Sequence, residues 1–391
     1  MNYSETSKIY IALNNSPFYG GGVEQAVNSI INNFSDITLN KLILVCNDQK
    51  QPLVFHFGGV KCLNFYTKSN KYLDKLFLYS QLMYSYRIYR FLKFNLLDGD
   101  VVNVHGLEYS FFLSLLKINK KFKLIISAHG SYFRQYTLYV VERLPSKFFL
   151  LSAFFYLWRW YFYLIERLAL KNADCLIFTT KKMELFFIGC YAVNQPCSII
   201  PLGIPFLSDN SVSVVKKNVN KAIIVGSKTY LKGLDIAIKS VENLNKKNIY
   251  IELSVIGFDD FYDHFDKKKI PKFIKYIGRV NPKEVKKWFQ ESDFLIFPTR
   301  YESYGLVPLE SILNKKPYIV SEASANAEIN YSDFGIVVKN YSVYYWENAI
   351  LKMIDNENYS FFMENIKKVD LAHFEWGNIA HKYEVIFNKY L

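Results

Sequence analysis

Two series of short apolar runs, separated by one polar stretch, constrain the fold of this chain more than any other feature. In the first series Ile9–Leu13, Lys41–Cys46, Asp100–Val104, Lys123–Ser127, Cys175–Thr179 and Ser198–Pro201 read as strands, and helical patterns separate most of them. Apolar runs without polar alternation mark strands covered on both faces by helices, as in a parallel sheet. The stretch Ser208–Asn220 (SDNSVSVVKKNVN) reads as a linker. A second series follows at Lys221–Val225, Tyr250–Ile256, Ile274–Ile277, Asp293–Phe297, Pro317–Val320 and Gly335–Val338. The pattern predicts an α/β protein of two doubly wound domains facing a cleft, with ligands at the carboxyl ends of the strands.

Length and composition agree with two domains. The chain has 391 residues, and domains run to roughly 150 residues each. Half of it is apolar, which excludes disorder over most of its length. Cys46, Cys62, Cys175, Cys190 and Cys197 are scattered and form no C-x-x-C pair, so they read as reduced thiols in a cytosolic protein. The segment MNYSETSKIYIALNNS has no basic region leading into a long apolar one, so no signal peptide is expected. The net charge of +13 comes from 40 lysines and only 8 arginines. Such a surface attracts an anionic membrane or nucleic acid, although a lysine bias in composition gives the same count. The shortage of arginine argues against base readout, and no nucleic-acid partner is expected.

Four segments could carry chemistry. Gly20-Gly21-Gly22-Val23-Glu24 follows the first strand and opens a helix, where backbone can approach an anionic ligand; a plain tight turn is the simpler reading. Val225–Gly233 (VGSKTYLKG) places Ser227, Lys228 and Lys232 at a strand-to-helix turn suited to a diphosphate. Arg300–Glu310 (RYESYGLVPLE) carries Glu302 in a loop and Glu310, eight positions on, inside a helix whose start presents the Gly305, Leu306 and Val307 amides. His129 and His105 each follow a strand and would point toward the cleft. No cluster has metal-ligand spacing and there is no D-x-D, so no metal is expected.

Taken in order, these segments resemble family 4 of the retaining glycosyltransferases, whose GT-B fold pairs two Rossmann-like domains. GGVE, IIPLGIP (Ile199–Pro205), VGSKTYLKG, FPTRYESYGLVPLES (Phe297–Ser311, the E-x7-E stretch) and FEWGNIAHKY (Phe374–Tyr383) carry the resemblance across nearly the whole chain. It implies an N-terminal acceptor-binding domain over 1–207 and a nucleotide-sugar-binding domain over 221–370. It also implies a helix over 371–391 that packs back on the first domain. It implies that Glu302 holds a donor sugar hydroxyl near the reacting carbon and Glu310 the nucleotide ribose. Lys232 would neutralise the leaving diphosphate with the amides of Gly305, Leu306 and Val307. His129 would contact the donor sugar, and Gly21 and Gly22 would line the phosphate or acceptor side. Two positions depart from the family pattern: Ser227 stands where arginine is usual, beside Lys228, and Ser303 where glycine is usual. Lysine is a point charge and does not fork onto two phosphate oxygens as arginine does.

Lys147–Glu166 (KFFLLSAFFYLWRWYFYLIE) holds ten aromatic residues between Phe148 and Tyr163. Its length approaches the roughly 20 residues of a membrane span. Arg159 sits near its centre, however, and Trp and Tyr favour the bilayer interface, so a helix lying on a membrane and a buried core helix are the two better readings. A second basic and aromatic stretch spans Lys71–Lys93. The sequence therefore predicts a hexosyltransferase that needs no cofactor or metal. It would use a UDP- or GDP-linked sugar and act on a lipid-linked or lipopolysaccharide- or capsule-type glycan at the inner face of the cytoplasmic membrane. A catalytically silent sugar-nucleotide binder or assembly scaffold is the competing reading, motivated by Ser227.

Overall fold

The computed structural model describes residues 7–15, 18, 22–70, 73–74, 78–117, 121–138, 149–204, 218–259, 261, 266, 270–324 and 331–391. Gly20, Gly21 and residues 205–217, most of the expected linker, lie outside them. The chain divides into two compact units, one of Met1–Pro205 with Ala372–Leu391 and one of Phe206–Leu371.

Among the described residues, the first unit is built on an eight-stranded sheet: β1 (Ile9–Ala12), β2 (Leu42–Cys46), β3 (Val54–Phe57), β4 (Val60–Asn64), β5 (Val101–His105), β6 (Lys123–Ala128), β7 (Cys175–Phe178) and β8 (Cys197–Ile199). Their spatial order is β3-β4-β2-β1-β5-β6-β7-β8. All neighbours pair in parallel except β3 and β4. The sequence reading missed that antiparallel pair. Its signal is Gly58-Gly59, both at positive φ, in the two-residue turn that closes a tight hairpin between Phe57 and Val60. The helices α1 (Gly22–Ile31), α2 (Tyr79–Asn95), α3 (Leu107–Lys117), α4 (Tyr132–Tyr136), α5 (Phe149–Leu170) and α6 (Lys181–Tyr191) belong to this unit. The central strands are wholly buried because helices cover both faces, which is why they read as unbroken apolar runs.

The last helix, Trp376–Tyr390, completes the core of the first unit. Ile379, Ala380, Tyr383 and Phe387 pack with Ile9, Ile11, Val27 and Phe34, and the Phe34 and Phe387 rings lie 6.0 Å apart. A side chain at Gly203 would meet the Trp376 ring at 2.5 Å, so only glycine lets that indole close over the strand exit. Of the aromatic helix α5, the described side chains show two faces. Phe162, Ile165, Ala169 and Leu170 are buried, whereas Trp160, Leu164 and Leu168, four residues apart in turn, are exposed. One face of this helix is thus core and the other is exposed, and no described helix is long and apolar enough to cross a membrane. The five cysteines are free thiols, three buried and two half-buried.

Among the described residues, the second unit has six parallel strands: β9 (Lys221–Gly226), β10 (Glu252–Gly257), β11 (Ile274–Gly278), β12 (Phe294–Phe297), β13 (Tyr318–Ser321) and β14 (Gly335–Val338). They lie in the order β11-β10-β9-β12-β13-β14. This is the doubly wound order in which the chain starts centrally, runs to one edge, then returns to build the other half. Helices α7 (Thr229–Lys232), α8 (Leu234–Lys246), α9 (Pro282–Glu291), α10 (Leu306–Leu313), α11 (Val343–Ile354) and α12 (Asn356–Lys368) accompany it. Trp346 on α11 is fully buried and donates its indole N–H to the Asn340 carbonyl at 2.9 Å.

Removing a ring that fills a core costs both its transfer energy and the cavity left behind. Phe387→Ala should therefore lower the unfolding free energy by about 3–5 kcal/mol, whereas Val385→Ala, at a position 55% exposed on the same helix, should change it by less than about 0.5 kcal/mol. Denaturant titration of the two variants checks this, and equal, small effects would show that the last helix is not part of the core.

Candidate active site

In each sheet the strand order reverses once, and the loops leaving the two strands at that reversal diverge to opposite faces, opening a crevice at the carboxyl edge. In the second unit the reversal lies between β9 and β12, which are direct neighbours. The turn after β9 carries Ser227 and Lys228 and leads into α7, which ends on Lys232, and the loop after β12 carries Glu302. The structure brings these two loops together. Lys232 Nζ lies 2.5 Å from Glu302 Oε2 and 5.4 Å from the centre of the Phe297 ring, and both charged side chains keep about a fifth of their surface exposed. The Lys232 stem passes so close to β9 that a Cβ on Gly226 would approach its Cγ to 2.9 Å. At Gly233, with φ +69°, a Cβ would fall 2.0 Å from the Pro298 carbonyl oxygen. These two glycines let the loops touch.

Arg300 anchors the second loop. Its guanidinium forks onto Asp235 with two 2.8 Å bonds, donates to the Tyr230 carbonyl at 2.6 Å and stacks 4.2 Å over the Tyr230 ring. The Arg300 backbone N–H donates to the Leu231 carbonyl, so the two loops are tied through main chain as well. The backbone N–H of Ser303 donates to Glu302 Oε1 at 3.2 Å. Gly305 then turns the chain at φ +93° into α10. Pro308 removes the one amide of that first turn that would otherwise also be unpaired, which leaves Gly305, Leu306 and Val307 as its free donors. About one turn along, Glu310 is half-buried, and burial raises its carboxyl pKa. Among the described residues that carboxylate has no hydrogen-bond partner. Ser227 and Lys228 are exposed at the mouth of the β9 loop.

The first unit has the same reversal between β1 and β5. A cavity of about 290 Å³ opens there, lined by the β1 exit (Asn14, Asn15), the start of α1 (Gly22 to Glu24) and the β5 exit (Gly106 to Tyr109). His105, His129, Gly130, Tyr132 and Gln135 complete it. Tyr84 on α2 donates its hydroxyl to the Leu13 carbonyl and so fixes the end of β1. Gly22 and His129 both line this cavity, whereas Gly21 lies outside the described residues. His105 Nδ1 and His129 Nε2 are 2.9 Å apart, so one ring donates to the other. Burial lowers both: His129 to about 4, and His105 well below its ordinary value, with His129 adding to the effect. Both are therefore neutral at pH 7. His129 Nδ1 is buried without a partner among the described residues.

The sequence reading assigned no role to the two carboxylates of this cavity. Glu24 and Glu108 are each 7% exposed. Glu24 accepts from Asn15 Nδ2 at 2.6 Å. Burial pushes Glu108 up to about 7. Their signal was present as a repeated tripeptide: Gly22-Val23-Glu24 and Gly106-Leu107-Glu108 each leave a central strand and enter a helix. Behind the cavity, buried Glu166 on α5 accepts from Ser131 Oγ at 2.8 Å, from Tyr191 and from the Tyr132 amide at 2.5 Å. It thereby fixes the start of α4 and ties it to the aromatic helix. Among the described residues no group of three or more His, Cys, Asp or Glu side chains is placed to hold a metal ion.

Comparison with known proteins names this architecture. The sequence pattern of "Glycosyltransferase Family 4" matches residues 20–206, and that of "Glycosyl transferases group 1" matches 208–369. The chain belongs to family 4 of the glycosyltransferases, enzymes of the GT-B fold. Among relatives, Protein CapJ of Staphylococcus aureus is 28% identical over 42% of this chain and 42% of its own length. An uncharacterised 41.2 kDa protein from the cps region of Klebsiella pneumoniae is 22% identical over 94% of this chain and 98% of its own. The match thus spans less than half of CapJ but nearly all of the Klebsiella protein. Sucrose-phosphate synthase of Thermosynechococcus elongatus superposes with a TM-score of 0.75 at 14% identity, covering 98% of this chain and 99% of that one. WaaG, a glycosyltransferase involved in lipopolysaccharide biosynthesis, gives 0.70 at 17% identity, covering 97% and 99%. At these identities the two structures show a shared fold.

The raised pKa of Glu108 makes a signed prediction. A carboxyl whose folded-state pKa is raised from 4.5 to about 7 loses stability for the protein as pH rises through that window, because the native state must then hold a buried charge. Among the described residues, the groups around it, Glu24, Tyr109, Tyr132 and the two neutral histidines, offer no compensating cation. Glu108→Gln should therefore stabilise the protein at pH 8, by on the order of 1–3 kcal/mol, and leave it nearly unchanged at pH 4. Thermal unfolding across that range checks the sign, and a stabilisation that is the same at both ends would contradict it.

Proposed function

We propose that this chain is a retaining hexosyltransferase that moves a sugar from a nucleotide-diphosphate donor, UDP- or GDP-linked, to a lipid-linked or lipopolysaccharide- or capsule-type glycan. The observation that carries the reading is the meeting of Lys232 and Glu302 at the strand-order reversal of the second unit, beside the free amides of α10. Leaving as an anion, a nucleoside diphosphate needs positive charge and N–H donors where its charge develops. Lys232, Lys228 and the amides of Gly305, Leu306 and Val307 supply these without a metal ion. In the free protein Glu302 holds the Lys232 ammonium in place; on donor binding the ammonium turns to the diphosphate and Glu302 accepts from a sugar hydroxyl. Glu310, half-buried and without a partner, accepts from the ribose hydroxyls. Ser227 leaves Lys228 as the nearest side-chain cation of that loop, a point charge in place of a fork.

Retention follows if the acceptor hydroxyl attacks the face that the diphosphate leaves, with the departing phosphate taking its proton. Gly21, Gly22 and His129 would then serve the sugar end of the reaction from the first unit, and His129, being neutral, acts there by hydrogen bonding and not by charge. The exposed stripe Trp160, Leu164 and Leu168, with Arg167 and Lys171 beside it, supports a peripheral stand on an anionic membrane at the cytoplasmic face, where lipid-linked acceptors are found. The cps-region location of the Klebsiella relative and the lipopolysaccharide role of WaaG support the class of acceptor.

Removing the group that positions the reacting sugar should fall on turnover and not on folding. Glu302→Ala is expected to lower kcat by at least about a hundredfold with its melting temperature close to that of the parent. Transfer or hydrolysis of UDP- and GDP-sugars by the purified variants reads this directly. A folded Glu302→Ala protein with full activity would remove Glu302 from the reaction.

A further inference from the structure

The cavity of the first unit has a charge pattern that bears on what it accepts. Two helices, α1 and α3, begin at its wall, and a helix start is ordinarily a place for a phosphate. Here each start carries an acidic residue in its first turn: Glu24 is the third residue of α1 and Glu108 the second of α3. Among the described residues that line the cavity there is no lysine or arginine. Arg134, the cation of α4, lies 4.9 Å over the Phe186 ring. The two histidines are neutral, and His129 Nδ1 is left without a partner there. What remains among the described lining residues are hydrogen-bonding groups without positive charge, namely two carboxyl groups, two asparagines, two tyrosines, two imidazoles and a glutamine.

We propose that this cavity takes a neutral, hydroxyl-rich sugar ring of the acceptor and rejects a phosphorylated one, with Glu24 and Glu108 as the residues that set this selectivity. The two carboxyl groups hydrogen-bond sugar hydroxyls, whereas a phosphate dianion placed among them meets no counter-ion, and meets like charge from Glu24 and, once ionised, from Glu108. Discrimination here rests on repulsion of the wrong ligand as much as attraction of the right one. The inference rests on the glycosyltransferase reading above and narrows it: the terminal residue of the acceptor carries no phosphate at the end that enters this cavity.

The test is ligand-observed NMR titration of the full-length protein with methyl glucoside, methyl galactoside and methyl N-acetylglucosaminide, each against the matching sugar 6-phosphate. The expected result is that at least one neutral glycoside binds more than about tenfold tighter than its phosphorylated partner. In Glu24→Gln/Glu108→Gln, or in Glu108→Gln alone if the double variant does not fold, that ratio should fall to less than about threefold. Equal or tighter binding of the phosphates, binding of none of the sugars, or a ratio unchanged in the variants would each overturn the proposal. Thermal shifts of the same wild-type sample with UDP- and GDP-sugars separate the two ideas. A sample that binds a nucleotide sugar but prefers sugar phosphates refutes only this inference, and one that binds no nucleotide sugar refutes the donor reading itself.

Discussion

The reversal of strand order at the centre of a parallel sheet is the constraint on which the rest of this protein depends. Parallel strands need crossovers, crossovers put helices on both faces, and a sheet covered on both faces leaves only its edges for chemistry. At the carboxyl edge the reversal parts two neighbouring loops, so a polar group on each can be desolvated on one side and still reach a ligand. Lys232 and Glu302 stand at one reversal, Glu24 and Glu108 at the other. The same geometry therefore produces an ion-paired, amide-lined crevice in one unit and, among the described residues, an acidic cavity without lysine or arginine in the other. The difference lies in which residues follow the strands, and not in the fold.

That contrast suits a reaction in which two chemically unlike molecules meet. A leaving diphosphate needs positive charge and N–H groups already in place, because reorganising water at the moment of reaction is what raises the barrier. An acceptor hydroxyl needs hydrogen-bond acceptors. The two loops of the second unit are held together by a main-chain bond from the Arg300 amide to the Leu231 carbonyl and close over Gly226 and Gly233, where any side chain would clash.

Much of this was legible in the sequence, and the parts that were not have physical reasons. Every expected strand is present within one or two residues, because a strand buried on both faces announces itself as a short apolar run. The edge hairpin β3–β4 was not read, since an edge strand such as Val54–Phe57 is half exposed and mixes polar with apolar residues. Glu302, Glu310 and Lys232 stand out because their spacing places them at loop and helix positions that local sequence already defines. Glu24 and Glu108 do not, because lying 84 positions apart they become a pair only once β1 and β5 are neighbours. The aromatic segment could not be divided into faces from composition, as both its buried and its exposed sides are apolar. It took the contacts of Phe162 and the exposure of Trp160 to separate them.

The most direct test of the central claim is a crystal structure of the full chain with UDP or GDP bound. The account predicts the diphosphate at the β9–β12 reversal, with a phosphate oxygen within hydrogen-bond distance of Lys232 Nζ and of the amides that begin α10, and the ribose hydroxyls on Glu310. A nucleotide bound with its diphosphate away from Lys232 and α10 would contradict it.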